Sequence, residues 1–203
     1  MDVNITEEQQ VEQIKAWWKE NGKAVILGAV IGLGGLWGWR YYQGEIQAAK
    51  EQASEAYTQA ITSLESNPET SVALVQAFIT EHESSQYSVL AALQLAKSLV
   101  DQEKLDAAAE QLSWVITHTQ DEAILPIAQT RLARVHAQMG QHDAALAELD
   151  KVTAQGWLAK VAELRGDILL EKGDTTAARE AYVQSQQLGA SPALQIKLDD
   201  LAQ

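Results

Sequence analysis

An uncharged apolar run near the start of the chain limits its fold more than any other feature. The run extends from Ala24 to Trp39, between Lys23 and Arg40. As a helix, the segment from Trp18 to Trp39 is roughly 32 Å long, which matches a hydrocarbon core of about 30 Å. Aromatic residues stand at both ends, as expected at two lipid–water interfaces: Trp17, Trp18, Trp37, Trp39, Tyr41 and Tyr42. The sequence therefore predicts one transmembrane helix, residues 23–43.

A cleaved signal peptide is the alternative interpretation of the same run. Lys15, Lys19 and Lys23 precede it, as basic residues precede the apolar part of a signal peptide. A cleavage site, however, needs small residues just after the apolar part, and the nearest small pair is Ala48 and Ala49. The bulky aromatic flank favours an uncleaved anchor.

Basic residues around the run predict its orientation. Three lysines lie on the N-terminal side, whereas only Arg40 and Lys50 follow before Lys97. Because Lys and Arg near a span favour the cytoplasmic side, we expect residues 1–22 to form a short cytoplasmic segment. Residues 44–203 then form an exported domain. Apolar residues before the span alternate with charged ones, which is typical of a helix lying on the membrane lipid: Val11, Ile14, Trp17 and Trp18.

The composition of the exported part indicates a helical, acidic, globular domain. From residue 44 onwards there are 23 acidic and 11 basic residues, a net charge of −12. Such a surface repels nucleic acid and anionic lipid and attracts basic partners, so we expect no nucleic-acid partner. The sequence of this part is rich in Ala, Gln, Leu and Glu, and its only prolines are Pro68, Pro126 and Pro192. Because these common residues mostly favour helix, the composition predicts an all-α fold.

Three stretches of the exported part share one order of small, turn, small and large residues. The first small position holds Ala96, Ala133 and Gly166, and the turn position holds Glu103, Gly140 and Gly173. The second small position holds Ala108, Ala145 and Ala178, and the large position holds Leu112, Leu149 and Tyr182. This pattern, with a period near 34 residues, is typical of tetratricopeptide repeats, in which small residues let paired helices pack closely.

An Ala-rich helical protein without repeats is the alternative, and the characteristic tryptophan of the first repeat helix is indeed missing. The threefold coincidence of positions favours repeats. Apolar spacing also predicts a helix over residues 46–64, a second over 69–82, and a closing helix from Ser191 through Leu194, Ile196, Leu198 and Leu201. The closing helix is expected to cover the apolar face of the last repeat.

The sequence predicts no catalytic residue, no cofactor and no metal site. Its four histidines lie in different helices or turns, and none forms a metal-ligand pair: His82, His118, His136 and His142. We expect His136, at a usually apolar repeat position, to be packed rather than a ligand. There is no cysteine, no nucleophile motif and no phosphate-binding glycine loop, so an enzyme is the least favoured function class.

The transmembrane run carries a row of small residues, Ala24, Gly28, Gly32 and Gly35, spaced by three or four positions. Such a row forms one face of a helix, and small residues allow another helix to approach closely. The sequence therefore predicts a packing face for a second membrane helix, although glycine is also common in membrane helices without a partner.

Several segments together resemble the YfgM family of ancillary SecYEG translocon subunits. They are a short acidic N-terminus, ENGKAVILG at residues 20–28, GWRYY at 38–42, RLARV at 131–135, GWLAKVAELRGD at 156–167 and EKGD at 171–174. The resemblance implies a bacterial inner-membrane protein with a periplasmic tetratricopeptide domain, beside the translocon and the membrane-anchored chaperone PpiD. It implies no catalytic residue.

The leading hypothesis is a membrane-tethered interaction module that helps exported chains pass from the SecYEG translocon to periplasmic chaperones. A structural scaffold or assembly factor for another envelope complex is the alternative. If the membrane helix does not carry recognition, the concave repeat surface between Leu93 and Gln187 is expected to do so.

Overall fold

The computed structural model describes residues 7–189 and 192–201, and this part of the chain is helical throughout, with short turns. The all-α prediction is confirmed. Residues 1–6 of the expected cytoplasmic segment, Ser191 at the expected start of the closing helix, and residues 202–203 lie outside the described residues. The chain divides into two compact units, Met1–Gln52 and Ala53–Gln203.

The first helix, α1, runs without interruption over Glu7–Ser66. The sequence predicted an anchor helix and a separate helix over residues 46–64. The two are continuous because no proline occurs before Pro68, and a lone Gly44 lowers helix stability by only about 1 kcal/mol. Helix α1 ends at Ser66, since Pro68 disfavours the helical conformation of Asn67.

The other helices are α2 Val72–Glu81, α3 Gln86–Asp101, α4 Leu105–His118, α5 Leu125–Gln138, α6 His142–Asp150, α7 Leu158–Glu171, α8 Thr175–Gly189 and α9 Pro192–Asp200. A 3-10 turn, Gln155–Trp157, precedes α7. Helix α2 begins later than predicted because residues 67–71 form a turn. In that turn the Ser71 hydroxyl donates a hydrogen bond to the Ser63 carbonyl oxygen at 2.8 Å.

Helices α3–α4, α5–α6 and α7–α8 form the three repeats, and each pair is joined by the same tight turn. Glu103, Gly140 and Gly173 occupy the turn with φ of 60°, 75° and 91°. In each case the next residue donates its backbone N–H to the carbonyl oxygen five residues earlier, as in Lys104 to Leu99 at 2.8 Å. These are Schellman motifs, which favour glycine at the left-handed position. Glu103 adopts that conformation despite its Cβ.

Three groups of buried side chains form the core of the second unit. The largest combines the end of α1 with α2 to α5, around Val75, Leu95, Leu112 and Val115. The second joins α5, α6 and α7, and the third joins α8 to α9. Each helix therefore packs mainly on its neighbours in sequence, as in a repeat solenoid.

Helix α9 buries Leu194, and Leu198 and Leu201 pack beside it against the last repeat. Ile196, which the sequence analysis placed on the same apolar face, is instead 64% exposed. Residues 194, 198 and 201 follow helical spacing, whereas residue 196 projects to the other side.

Candidate functional site

The small-residue row lies exposed on α1. Ala24, Gly28, Gly32 and Gly35 are all accessible, and a Cβ added at any of the three glycines would meet no described atom within 4 Å beyond the helix's own adjacent backbone. The backbone along this row is therefore open to close approach by another helix, as small-residue faces in membranes are.

Aromatic side chains are exposed at both ends of the apolar run. At the C-terminal end, the Trp37 and Tyr41 rings stack with their centroids 6.2 Å apart, and Trp39 and Tyr42 lie 6.5 Å apart. At the N-terminal end, the Trp18 ring lies over Gly22, where an added Cβ would be 3.3 Å from it. Helix α1 is the one helix of the described residues that is long and apolar enough to cross a membrane.

The structure places all six small repeat residues in the interior of the second unit. Their burial is nearly complete in each repeat: Ala96, Ala108, Ala133, Ala145, Gly166 and Ala178. The large residues Leu112, Leu149 and Tyr182 are each 1% exposed. These residues build the scaffold, so any binding function of the repeats resides in the side chains around them.

A polar cluster that the sequence analysis missed ties α9 to the last repeat. The Lys197 ammonium donates hydrogen bonds to Asp167 Oδ1 at 2.6 Å and to Glu163 Oε1 at 3.0 Å. Lys160 Nζ lies 3.0 Å from the other Glu163 oxygen, and the Tyr182 hydroxyl donates to Asp167 at 2.8 Å. Glu163 occupies the repeat position that is equivalent to Leu93 and Thr130, which are both buried. A charged residue at a normally buried position was the feature of the sequence that could have indicated this cluster.

The charges of this cluster are stabilised mutually. Burial opposes ionisation of the Glu163 carboxyl, but hydrogen bonds from Lys197 and Lys160 outweigh it, so its pKa is lowered. Burial likewise opposes the charge of Lys197, but the carboxylates of Asp167 and Glu163 raise its pKa overall. Burial and the hydrogen bond to Asp167 raise the pKa of the Tyr182 hydroxyl. Each polar group already has a partner, which indicates a structural role.

The histidine side chains do not lie together at one site. His118 Nε2 lies 3.0 Å from Glu83 Oε1, and His136 Nδ1 lies 2.8 Å from Gln141 Oε1. Within residues 7–189 and 192–201, no three His, Asp or Glu side chains lie together in a way that suits a metal ion.

Two open grooves of the second unit are lined by residues from more than one helix. One, of about 680 Å³, lies between the end of α1 and α3, and the other, of about 780 Å³, lies among the ends of α2, α3, α4 and α5. No local sequence pattern marks either, because each is assembled from segments distant along the chain.

Comparison with known proteins gives full-length matches. A profile of the tetratricopeptide repeat-like domain family matches residues 15–203. The ancillary SecYEG translocon subunit of Escherichia coli K12 is 38% identical over 206 residues, covering 100% of both chains. The subunit of the same name from Haemophilus influenzae is 37% identical, covering 94% of this chain and 93% of its own.

Solved structures with the same fold are more distant in sequence. MamA from Desulfovibrio magneticus RS-1 superposes with a TM-score of 0.58 at 16% identity, covering 73% of this chain and 82% of its own. PilF from Pseudomonas aeruginosa gives a TM-score of 0.56 at 18% identity, covering 89% and 86%. At these identities the likeness concerns the helical-repeat fold alone.

Proposed function

Since this chain belongs to the family of ancillary SecYEG translocon subunits with a tetratricopeptide repeat-like domain, we propose that it is a membrane-anchored interaction module beside the Sec translocon. In this proposal α1 crosses the inner membrane once, with residues 1–22 in the cytoplasm, residues 23–43 in the membrane and residues 44–203 in the periplasm. Exported proteins pass from the translocon to periplasmic chaperones with its help, and the chain itself performs no catalysis.

The full-length match with the Escherichia coli relative carries this proposal, because it covers both α1 and the repeats. The exposed small-residue row of α1 supports lateral packing against a membrane helix of SecYEG or of the chaperone PpiD. Since the repeats are built mainly by contacts between neighbouring helices, their outer surfaces remain available to clients.

A tether explains why such a module works without high intrinsic affinity. Holding a binding site near the translocon exit raises its local concentration for an emerging chain towards about the millimolar range. The acidic surface, with a net charge of −12 from residue 44 onwards, also attracts basic segments of exported proteins.

Crosslinking in intact cells tests the proposal. A photoreactive amino acid at exposed positions of the repeats, such as Gln94 or Gln187, should capture exported proteins and periplasmic chaperones, identified by mass spectrometry. The same probe in a soluble copy of residues 53–203 serves as the control for the tether and should capture fewer. Capture of only the subunits of another envelope complex would support a scaffold role instead.

A further inference from the structure

The groove among α2, α3, α4 and α5 is lined by apolar residues and by three carboxylates, which we call its rim. Among the lining residues, Val89 is buried, and Leu90 is 39% exposed although it is a large apolar residue. Ile124, immediately before α5, is half-buried and also lines the groove. Covering the exposed part of Leu90 with an apolar group would favour binding, because it removes apolar surface from water.

The rim of this groove carries Glu81, Glu83 and Asp121, and its fourteen lining residues include no lysine or arginine. His118 is the one lining residue that can bear a positive charge, and it lies against Glu83. All three carboxylates are exposed, so a cation at the rim would meet negative potential.

The walls of the groove are held in place before any ligand binds. The His118 ring stacks on Trp114 with centroids 4.1 Å apart, and its Nδ1 lies 2.9 Å from the Trp114 carbonyl oxygen. Asp121 Oδ1 accepts a hydrogen bond from the Ala123 backbone N–H at 2.8 Å. A preformed groove loses little conformational entropy on binding, which favours affinity.

We propose that this groove binds an extended polypeptide segment in which lysine or arginine residues flank a large apolar residue. The apolar side chain covers Leu90, and the basic side chains pair with the carboxylates at the rim. The proposal rests on the function proposed above and names the class of client segment that the repeats recognise. Anionic lipid is disfavoured as an occupant because the rim would repel its head groups.

Peptide binding to the full chain in zwitterionic nanodiscs tests this assignment. Three fluorescent nine-residue peptides are compared by anisotropy: one with lysines flanking leucine, one with glutamate in place of lysine, and one with serine in place of leucine. We expect the first to bind, with weaker binding in 0.5 M salt since exposed charge pairs are screened at about that concentration. Equal binding of all three peptides would overturn the assignment.

Groove variants locate the site. Replacing Glu81 and Glu83 with Gln and Asp121 with Asn should weaken binding of the lysine–leucine peptide by about tenfold, because three exposed charge pairs are lost. These changes keep side-chain acceptors for His118 and Ala123. Leu90→Ser should weaken it by at least about threefold.

Matched controls lie outside the groove. Glu110→Gln with Glu171→Gln and Glu180→Gln removes three exposed carboxylates elsewhere, and Leu74→Ser removes a leucine that is also exposed, on α2. These variants should bind like the parent, and thermal melting should show that every variant is folded. Groove variants that are folded and bind as tightly as the parent would contradict the proposed site.

Failure of the proposed binding site can be distinguished from failure of the proposed function. Peptide binding at the groove, without capture of exported proteins in cells, would support the site and contradict the function. If the groove variants capture exported proteins in cells as well as the parent does, that result would support the function and overturn the site.

Discussion

The ring of Tyr182 occupies the space into which a side chain at residue 166 would project. A Cβ built on Gly166 would overlap the Tyr182 ring, which is 1% exposed. The equivalent positions of the other two repeats combine alanine with leucine: Ala96 with Leu112, and Ala133 with Leu149. The third repeat has glycine where its partner is larger, which indicates that these two positions are sterically coupled.

Gly166→Ala should therefore destabilise the repeats by about 1–3 kcal/mol, as overpacking of a filled core does. In the background of Tyr182→Leu the same change should cost much less, since the pair then matches the other repeats. Urea unfolding of a double-mutant cycle measures the coupling. Gly156→Ala is the control, because a Cβ at exposed Gly156 meets no described atom within 4 Å. Additive effects of the two substitutions would show that the positions are independent.

Glu103→Gly should stabilise the chain by roughly 0.5–1 kcal/mol. Glu103 has φ of 60°, where a Cβ costs about 1–2 kcal/mol, partly offset by the greater unfolded-state entropy of glycine. Glu103→Ala removes the charge but keeps the Cβ, so it should give no such gain. If alanine stabilises as much as glycine, charge rather than backbone conformation is the cause. Thermal melting of the three proteins distinguishes these results.

Lys197→Met should destabilise the chain at neutral pH, and the difference from the parent should shrink in acid. The pKa of Glu163 is lowered in the folded state, so its contribution is present above its ordinary pKa and lost as pH falls through the lowered value. The pKa of Lys197 is raised, so its contribution is lost only as pH rises through that raised value.

Melting temperatures of the two proteins from pH 3 to pH 7 measure this effect, with about 2–4 °C expected for each kcal/mol. Methionine keeps the apolar stem of the side chain. An equal difference at pH 3 and pH 7 would mean that packing of the Lys197 stem, rather than its charge, holds α9.

The N-in, C-out orientation is tested with single cysteines, since the chain contains none of its own. In spheroplasts, a membrane-impermeant maleimide should label Gln187→Cys and spare Gln13→Cys, because the lysines before the span favour the cytoplasm. Both positions are exposed and should label fully after lysis. The opposite labelling would reverse the orientation.

The repeats could be predicted because their steric rule is local: small residues recur where paired helices touch, and a turn residue lies between them. Gly140 and Gly173 marked two of the turns, and the alignment alone located the third at Glu103. The continuity of α1 was missed because the predicted change of environment, from membrane to water, would not require a break in the helix.

The Glu163–Lys197 contact could not be predicted in the same way. Its partners lie 34 residues apart and belong to different helices, and only a charged residue at a normally buried repeat position hinted at it. The groove around Leu90 is likewise formed by four helix ends, so no single segment carries its signature.

Recovery of the translocon with the full chain tests the central claim most directly. Three proteins are purified from membranes in mild detergent: the parent, the double variant Gly28→Leu with Gly32→Leu, and the double variant Ile26→Leu with Val30→Leu. The amount of SecYEG that is recovered with each is measured. Residues 26 and 30 lie on the opposite side of α1, so this pair is the matched control. We expect the parent and the control to recover SecYEG, and the glycine variant to recover several-fold less since close packing is lost. Equal recovery by all three would contradict the role of the small-residue face, and recovery by none above an unrelated single-pass protein would contradict the proposed function.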